Sequence, residues 1–241
     1  MLIGSGKLRF AIGIALAALC FFPAARAAEK PKVRAITAFV RLDRAQYKTQ
    51  VAGALTMLRG AKAALERAGY EVQGIRIATQ PFPEYVRGLS TEEAVAFFKE
   101  YEALVKAEGF DASIGPAMLA PNADPGEAEL LGEILSANLS LNASLTVADE
   151  NGVRWEAVKA AARLIKHLEE HSPGGYANFN FAAAALVPQH TPFFPAAYHN
   201  GPGGRFAIAL QSANVVAESF AKASATRDGN AIGSGDGLNA E

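Results

Sequence analysis

The chain has 241 residues and a formal net charge of -1 at pH 7, with 23 basic against 24 acidic residues. This balance argues against nucleic acid as a partner, because neutralising phosphates requires a basic excess that the sequence lacks. Half of the residues are hydrophobic and 20% are charged, so the chain can bury the core of one domain of ordinary size.

Residues 1–27 have the pattern of a secretory signal peptide. Lys7 and Arg9 precede an apolar run over 10–22 that is too short to span a bilayer, and Ala25-Arg26-Ala27 offers a small-x-small cleavage site. We expect cleavage after this motif or one residue later, and a periplasmic or secreted protein with no stable membrane anchor. An uncleaved anchor is the alternative, which the helix-breaking Pro23 disfavours.

Cys20 lies in that segment and is the only cysteine of the chain. It does not predict a lipid anchor, because Leu19 is bulky where a lipoprotein site requires a small residue. The mature protein would therefore have no cysteine. This excludes a disulfide, a thiolate metal site, a cysteine nucleophile and thiyl radical chemistry.

Short apolar strands alternate with amphipathic helices along the rest of the chain. The first strand is predicted over 33–40, and Asp43 with Gln46 forms a capping box before a helix that ends at Gly69. Further capping signals are Ser90 with Glu93, and Asp124-Pro125 with Glu127. The later strands are predicted over 70–79, 110–118, 138–147, 178–187 and 206–211, and the last two helices over 153–171 and 213–222.

This alternation predicts an α/β fold with a mainly parallel sheet, because strands that alternate with helices of this length form βαβ crossovers. The α/β domain is expected over 28–226. Residues 227–241 are rich in Gly, Asn, Ser and Asp and have few apolar residues, so we expect a disordered tail there.

Polar residues interrupt strands that a parallel sheet would bury on both faces. Every second residue from Asn138 to Thr146 is an amide or a hydroxyl, Asn178 and Asn180 begin the next strand in the same way, and Arg76 lies between two isoleucines. Uncompensated polar groups in a core cost about 1–3 kcal/mol each. A solvated sheet face, a water-filled barrel interior and a ligand pocket would each supply partners, and the pattern is compatible with all three.

The segment 188–205 has the densest group of potential ligand contacts. Its prolines at 188, 192, 195 and 202 exclude a helix and predict a stiffened loop. We expect this loop to contribute to any binding site, although it contains no motif of known chemistry. Its candidate side chains are His190, Tyr198, His199, Asn200 and Arg205.

The two histidines of this loop are candidates for acid–base catalysis or metal binding. The spacing of His190 and His199 matches no metal motif, and no carboxylate lies within the loop, so the sequence favours a structural or hydrogen-bonding role and predicts no metal site. Arg76 and Arg205 are candidates for anion binding, since a guanidinium in or beside a strand requires an acidic partner. An internal Asp or Glu is an equally good partner.

The chain resembles the uncharacterised family catalogued as domain of unknown function 711. The resemblance rests on Val33-Arg34-Ala35-Ile36-Thr37, on Gly74-Ile75-Arg76-Ile77-Ala78-Thr79 and on Asn138-Leu139-Ser140-Leu141-Asn142. Most specific is Thr191-Pro192-Phe193-Phe194-Pro195-Ala196-Ala197-Tyr198-His199, which continues into Gly204-Arg205-Phe206-Ala207-Ile208. It covers nearly all of the mature chain and only the N-terminal part of what the family contains.

The family is similar in fold to the glycyl-radical enzymes, such as pyruvate formate-lyase, and to the ribonucleotide reductases. The resemblance therefore implies a half or incomplete α/β barrel, with the polar stripes inside it. It implies no radical chemistry here, because the mature chain has no cysteine to form a thiyl. A half-barrel would also expose a sheet edge, which a homodimer could cover.

Three interpretations follow. The first is an exported enzyme that acts on a small polar or anionic metabolite in an interior pocket. The second is a non-catalytic extracytoplasmic binding module that uses the same pocket, and the third is a truncated or inactive relative. The sequence indicates no particular cofactor. The residues assigned to the pocket are Arg76, Asn138, Asn142, His190, Tyr198, His199 and Arg205.

Overall fold

The computed structural model describes the backbone of residues 30–233 and the side chains of residues 30–224. The predicted signal peptide over 1–27 lies outside these residues and stays a prediction. Contacts divide the chain into two compact units, Pro31–Ala213 and a second unit that comprises the two ends of the chain.

The larger unit alternates strands and helices, which confirms the predicted α/β class. Its strands are β1 (Lys32–Val40), β2 (Ile75–Thr79), β3 (Asp111–Ala117), β4 (Leu141–Asp149), β5 (Gly152–Val153), β6 (Phe181–Ala185) and β7 (Arg205–Gln211). Its helices are α1 (Tyr47–Arg67), α2 (Phe82–Val86), α3 (Thr91–Glu108), α4 (Gly126–Ala137) and α5 (Trp155–His171), and a 3-10 segment over Pro173–Asn180 precedes β6.

The strands form one sheet in the order β5-β4-β3-β2-β1-β7, with β6 also paired to β4. The pairs β1–β2, β2–β3, β3–β4 and β4–β6 are parallel, whereas β5 and β7 run antiparallel to β4 and β1. The sheet is therefore mixed and not closed, and the prediction of a mainly parallel sheet is wrong at its ends. A short turn joins β4 to β5, and a connection without a helix joins β6 to β7, so neither link forms a parallel crossover.

The hydrophobic core lies between the sheet and the four longer helices of the unit. Because the parallel strands follow one another in chain order, right-handed crossovers place these helices on one face. Ile36, Ile77 and Leu145 of the strands accordingly share one cluster with Leu55 of α1 and Leu164 of α5. We call the opposite sheet surface the helix-free face.

The segment 186–204, which we call the β6–β7 connection, covers part of the helix-free face. It contains no helix or strand, as its prolines predict. The Ser113 hydroxyl of β3 donates to the carbonyl oxygens of Pro195, at 3.1 Å, and Ala197, at 2.7 Å. The backbone N–H of His199 donates to the Thr79 carbonyl at 2.8 Å, and Ala197 packs on Phe39. The connection therefore lies across the middle of this face.

Capping explains only part of the predicted helix starts. Ser90 and Glu93 form the predicted capping box. The capping box predicted at Asp43 is wrong, since α1 begins at Tyr47 without a side-chain cap. The Asp43 carboxylate instead accepts from the backbone N–H of Ala45 in a tight turn. The capping box predicted at Asp124 is also wrong. Its Glu127 carboxylate accepts from the backbone N–H of Met118 and not from the start of its own helix.

Apart from Lys30, the described part of the second unit lies in a helix, α6 (Ala213–Gly233), whose first residue belongs to the larger unit. It continues past the predicted end at Lys222 and includes residues 227–233 of the predicted disordered tail. The rest of that tail lies outside the described residues. None of the helices within residues 30–233 is both long and apolar enough to cross a membrane.

Candidate functional site

The β6–β7 connection separates two cavities on the helix-free face. Phe194 and Pro195 border a cavity of about 610 Å³ at the amino ends of β2 and β3, which we call the amino-end cavity. Ala196 and Tyr198 border a cavity of about 470 Å³ near the carboxyl ends of β4 and β6, which we call the carboxyl-end cavity. Both volumes lie in the range of small-molecule sites.

Polar groups of the sheet and of the β6–β7 connection converge on the carboxyl-end cavity. The sheet supplies Ser144, Thr146 and Asp149, followed by Glu150 in the β4–β5 turn. Leu119, Leu186 and Val187 provide apolar walls, and neither lysine nor arginine lines the cavity. The β6–β7 connection supplies Gln189, Tyr198 and Asn200. The lining therefore carries negative charge together with neutral hydrogen-bonding groups.

The hydroxyl groups of Ser144, Thr146 and Tyr198 have no hydrogen-bond partner in the described part of the chain. The Ser113 hydroxyl, also on this face, is occupied by two carbonyls. Burial raises the pKa of Tyr198, and the carboxylate of Glu150 raises it further. Tyr198 is therefore a neutral donor at physiological pH, and all three hydroxyls are available to a ligand.

His190 and His199 form a hydrogen-bonded pair beside this cavity, as the prolines of the loop allow. Nε2 of His190 lies 3.0 Å from Nδ1 of His199, so one imidazole donates and the other accepts. The N–H of His190 donates to the Tyr198 carbonyl, and its ring meets the edge of Phe39. The pair therefore fixes the two arms of the β6–β7 connection to each other and to β1.

His199 is fully buried, and its environment favours the neutral imidazole. Burial lowers the pKa of His199, and the neighbouring His190 and Arg41 lower it further, against a smaller opposing effect of the Gly203 backbone. No hydrogen bond of good geometry reaches Nε2 of His199 from the described residues. His199 is therefore a neutral imidazole at physiological pH, and its Nε2 has no partner among the described residues.

Arg76 and Asn142 line the amino-end cavity. The Nε–H of Arg76 donates to the Asp111 carboxylate at 3.2 Å, so an internal acid is the partner, one of the two alternatives left open by the sequence. The Asn142 amide donates to the Ala112 carbonyl at 3.1 Å.

Asn138 and Arg205 line neither cavity. Asn138 ends α4 instead of lying in β4, which begins at Leu141, and its buried amide donates to the Ile134 carbonyl at 2.7 Å. Arg205 is exposed and donates to the neighbouring Gly204 carbonyl. The structure thus does not bring the predicted residues together in one pocket, and their ligand-binding roles stay predictions.

Glu127 and Arg154 support the wall of the carboxyl-end cavity, a role that the sequence did not indicate. The Glu127 carboxylate accepts from the N–H of Met118 at 2.6 Å, and burial raises the pKa of this glutamate. The Arg154 guanidinium donates to the carbonyls of Met118 and Ala120. Together they fix the loop that carries Leu119, a lining residue.

Comparison with known proteins gives one family and one curated relative. The chain is 32% identical over 139 residues to a UPF0210 protein of Pyrobaculum islandicum (strain DSM 4184 / JCM 9189 / GEO3), a match that covers 55% of this chain and 30% of that protein. The chain thus spans less than a third of that relative's length, and the assignment to the N-terminal part of the family stays a prediction. The family model described as "Uncharacterised ACR (DUF711)" matches residues 27–233. Because this match covers nearly the whole chain, the chain belongs to the uncharacterised DUF711 family, as its sequence resemblance predicted.

Proposed function

We propose that this chain binds a small polar molecule in the carboxyl-end cavity. The observation that carries the proposal is the convergence of three unpaired hydroxyls, those of Ser144, Thr146 and Tyr198, on one cavity of about 470 Å³. Partly buried hydroxyls without partners forfeit hydrogen bonds that water or a ligand would supply, so a polar ligand fits this lining better than an apolar one.

The charge of the lining favours an uncharged or positively charged ligand. Asp149 and Glu150 contribute carboxylates, and the lining has no cation to balance them. An anion would meet uncompensated like charge, whereas a polyol or an amine would gain hydrogen bonds or ion pairs. Of the small polar or anionic metabolite expected from the sequence, we therefore retain only the polar alternative for this cavity, and we propose a polyol or an amine.

The position of the cavity supports the proposal. Ligands of open α/β sheets bind outside the carboxyl ends of parallel strands. We also propose that the helix-free face corresponds to the interior of a half-barrel, since five parallel strands in the order β1-β2-β3-β4-β6 carry their long helices on the other side. The incomplete barrel of the glycyl-radical-enzyme type, implied by the resemblance, stays part of this proposal.

A second candidate function is catalysis with the histidine pair as proton acceptor. His190 and His199 alternate along the chain with Gln189, Tyr198 and Asn200, which line the cavity. When Nδ1 of His199 donates to His190, Nε2 of His199 carries the lone pair, and burial, which lowers the pKa of His199, keeps that nitrogen unprotonated. Nε2 is then the atom that would accept a proton from a bound ligand that reaches it. The histidine pair is the one feature that favours an enzyme over a binding module. The proposed ligand is a polyol or an amine in either case.

Two further parts of the proposal concern location and assembly. The pattern of residues 1–27 supports an exported, periplasmic or secreted protein. A homodimer is supported by β7, whose outer edge has no partner strand among the described residues and whose Phe206 and Leu210 are exposed. A native mass of the purified chain tests the second part.

Thermal shifts of the full-length chain against a ligand panel test the binding proposal. The panel contains polyols and sugars, amines, and carboxylates or phosphates, and a ligand that binds the folded state raises Tm. We expect a polyol or an amine to raise Tm, and Thr146→Val to abolish the shift while Thr56→Val, an exposed helical site, preserves it. A shift that survives in Thr146→Val and Ser144→Ala would contradict the site, and a panel without any hit would favour the inactive-relative interpretation.

A further inference from the structure

The amino-end cavity contains a cation that the fold neutralises only in part. The Arg76 side chain is 12% exposed and uses Nε for Asp111, while neither terminal nitrogen has a hydrogen-bond acceptor among the described residues. Asp111 is 60% exposed, so this ion pair is well solvated and offsets the charge of the guanidinium only weakly. Two N–H-bearing nitrogens of a mostly buried guanidinium therefore remain available to an anion, without displacing Asp111.

Aromatic rings surround this cation. The guanidinium carbon of Arg76 lies 4.5 Å above the ring centroid of Phe194, and this contact orients the plane of the guanidinium. Tyr176 and Phe179, from the 3-10 segment, border the same cavity with ring centroids 5.7 Å apart. Phe179 is 81% exposed, so its ring is accessible to a ligand in this cavity.

Amide oxygens complete the lining. Asn142 and Asn180 use their amide nitrogens for the backbone carbonyls of Ala112 and Leu139. Their Oδ1 atoms are left as acceptors at the cavity, since no described donor contacts them. The cavity thus offers donors for an anion, ring faces for a flat apolar body and acceptors for a hydroxyl or amino group.

We propose that the amino-end cavity is a second binding site, for a small aromatic carboxylate that carries a hydroxyl or amino substituent. The carboxylate binds the terminal nitrogens of Arg76, and the ring packs on Tyr176 and Phe179. The substituent donates to Asn142 or Asn180. Arg76 and Lys106 line this cavity with one carboxylate, that of Asp111, whereas Asp149 and Glu150 line the carboxyl-end cavity without any cation. The two sites therefore favour ligands of opposite charge.

Calorimetric titration of the full-length chain with 4-hydroxybenzoate tests this site. We expect saturable binding of 4-hydroxybenzoate and a lower affinity for benzoate, which lacks the hydroxyl. The affinity for 4-hydroxybenzyl alcohol, which lacks the charge, should be lower than that for 4-hydroxybenzoate by about tenfold or more. Acetate, which lacks the ring, is expected not to bind. No binding at ~10 mM 4-hydroxybenzoate, or equal affinity for the uncharged alcohol, would overturn the proposal.

Variants locate the bound ligand. Arg76→Met is expected to weaken 4-hydroxybenzoate at least about tenfold, and Phe179→Ala about threefold or more, since each removes a direct contact. Phe220→Ala, which truncates a ring that is 71% exposed on α6, is the matched control and should leave the affinity unchanged. Because Phe179 is more exposed still, its variant stays informative even if Arg76→Met fails to fold.

The carboxyl-end cavity provides the remaining control. Thr146→Val should leave 4-hydroxybenzoate binding intact, whatever the outcome of the polyol and amine panel, because Thr146 lines only the other cavity. Binding that is lost in Thr146→Val but preserved in Arg76→Met and Phe179→Ala would place the ligand in the carboxyl-end cavity and overturn the inference. Failure of the panel alone would leave it standing.

Discussion

Nε2 of His190 and Nδ1 of His199 are 3.0 Å apart, which makes the two imidazoles one hydrogen-bonded unit across the β6–β7 connection. His199 is buried, and its backbone N–H donates to the Thr79 carbonyl of β2. A second proton on the pair would place like charges in contact away from water. The connection is therefore held by a unit that requires at least one neutral imidazole.

This pairing predicts a pH-dependent stability. Burial and His190 lower the pKa of His199 from the ordinary value of 6.5, so the folded chain resists protonation there. Above pH 6.5 the His199 imidazole is neutral in both the folded and the unfolded chain, so its contribution to the free energy of unfolding is fully present. As the pH falls below 6.5, the unfolded chain takes up a proton that the folded chain does not, so the free energy of unfolding decreases. Urea denaturation between pH 7.5 and pH 5.0 measures this slope.

His199→Asn tests the origin of that slope. Asparagine keeps a polar partner for His190 but does not titrate, so the decrease in stability below pH 6.5 should become smaller than in the wild type. Thr56→Val, at an exposed position of α1, is the control and should leave the slope unchanged, because neither side chain titrates. An identical slope in His199→Asn would show that other groups cause the acid sensitivity.

Ser113→Ala should destabilise the packing of the β6–β7 connection on the sheet. The hydroxyl is the side-chain donor to both the Pro195 and the Ala197 carbonyls, and its loss leaves buried acceptors unpaired at a cost of about 1–3 kcal/mol. Urea denaturation measures the loss, and faster proteolytic cleavage within 186–204 would localise it. Ser219→Ala, in which an exposed helical hydroxyl is removed, should change stability little. Equal effects of the two variants would contradict the anchoring role.

The sequence predicted the α/β class because hydrophobic periodicity and glycine helix ends are local signals. Gly109 ends α3 in the left-handed conformation, and Ser90 begins it, as expected from residues a few positions apart. The antiparallel direction of β7 could not be predicted, since it depends on where the chain re-enters the sheet. That position is set by contacts between Ser113 and Pro195, which are 82 residues apart.

The candidate site was only partly predictable for the same reason. The polar stripe of β4 does face the helix-free side at Asn142, Ser144 and Thr146, but the β6–β7 connection divides that face into two cavities. Asn138 continued the alternation by chance, because α4 ends there before β4 begins. Alternation identifies a face of a strand and does not show which elements later cover it.

Arg154→Met should loosen the loop between β3 and α4. The guanidinium donates to the Met118 and Ala120 carbonyls, and Met118 has a positive φ of 52° that its neighbours must maintain. We expect a loss of about 2–3 kcal/mol, because a partly buried charged donor leaves several carbonyls unpaired. Thermal denaturation measures this loss. Arg67→Met, at the exposed end of α1, is the control, and equal Tm values for the two variants would show that the loop does not depend on Arg154.

Gly115→Ala should be among the most destabilising single-methyl changes in the sheet. Gly115 has φ of 79° within β3, and an added Cβ would lie 2.4 Å from the Gln80 carbonyl oxygen, a backbone atom that cannot move away alone. Backbone strain and overpacking together are expected to cost about 3 kcal/mol or more. Gly60→Ala is the matched control, because its Cβ would meet nothing within 4 Å in α1, and helix propensity should raise stability by about 0.5–1 kcal/mol. Chemical denaturation should therefore shift in opposite directions for the two variants. A stable Gly115→Ala protein would mean that the Gln80 backbone does not lie against β3 at Gly115.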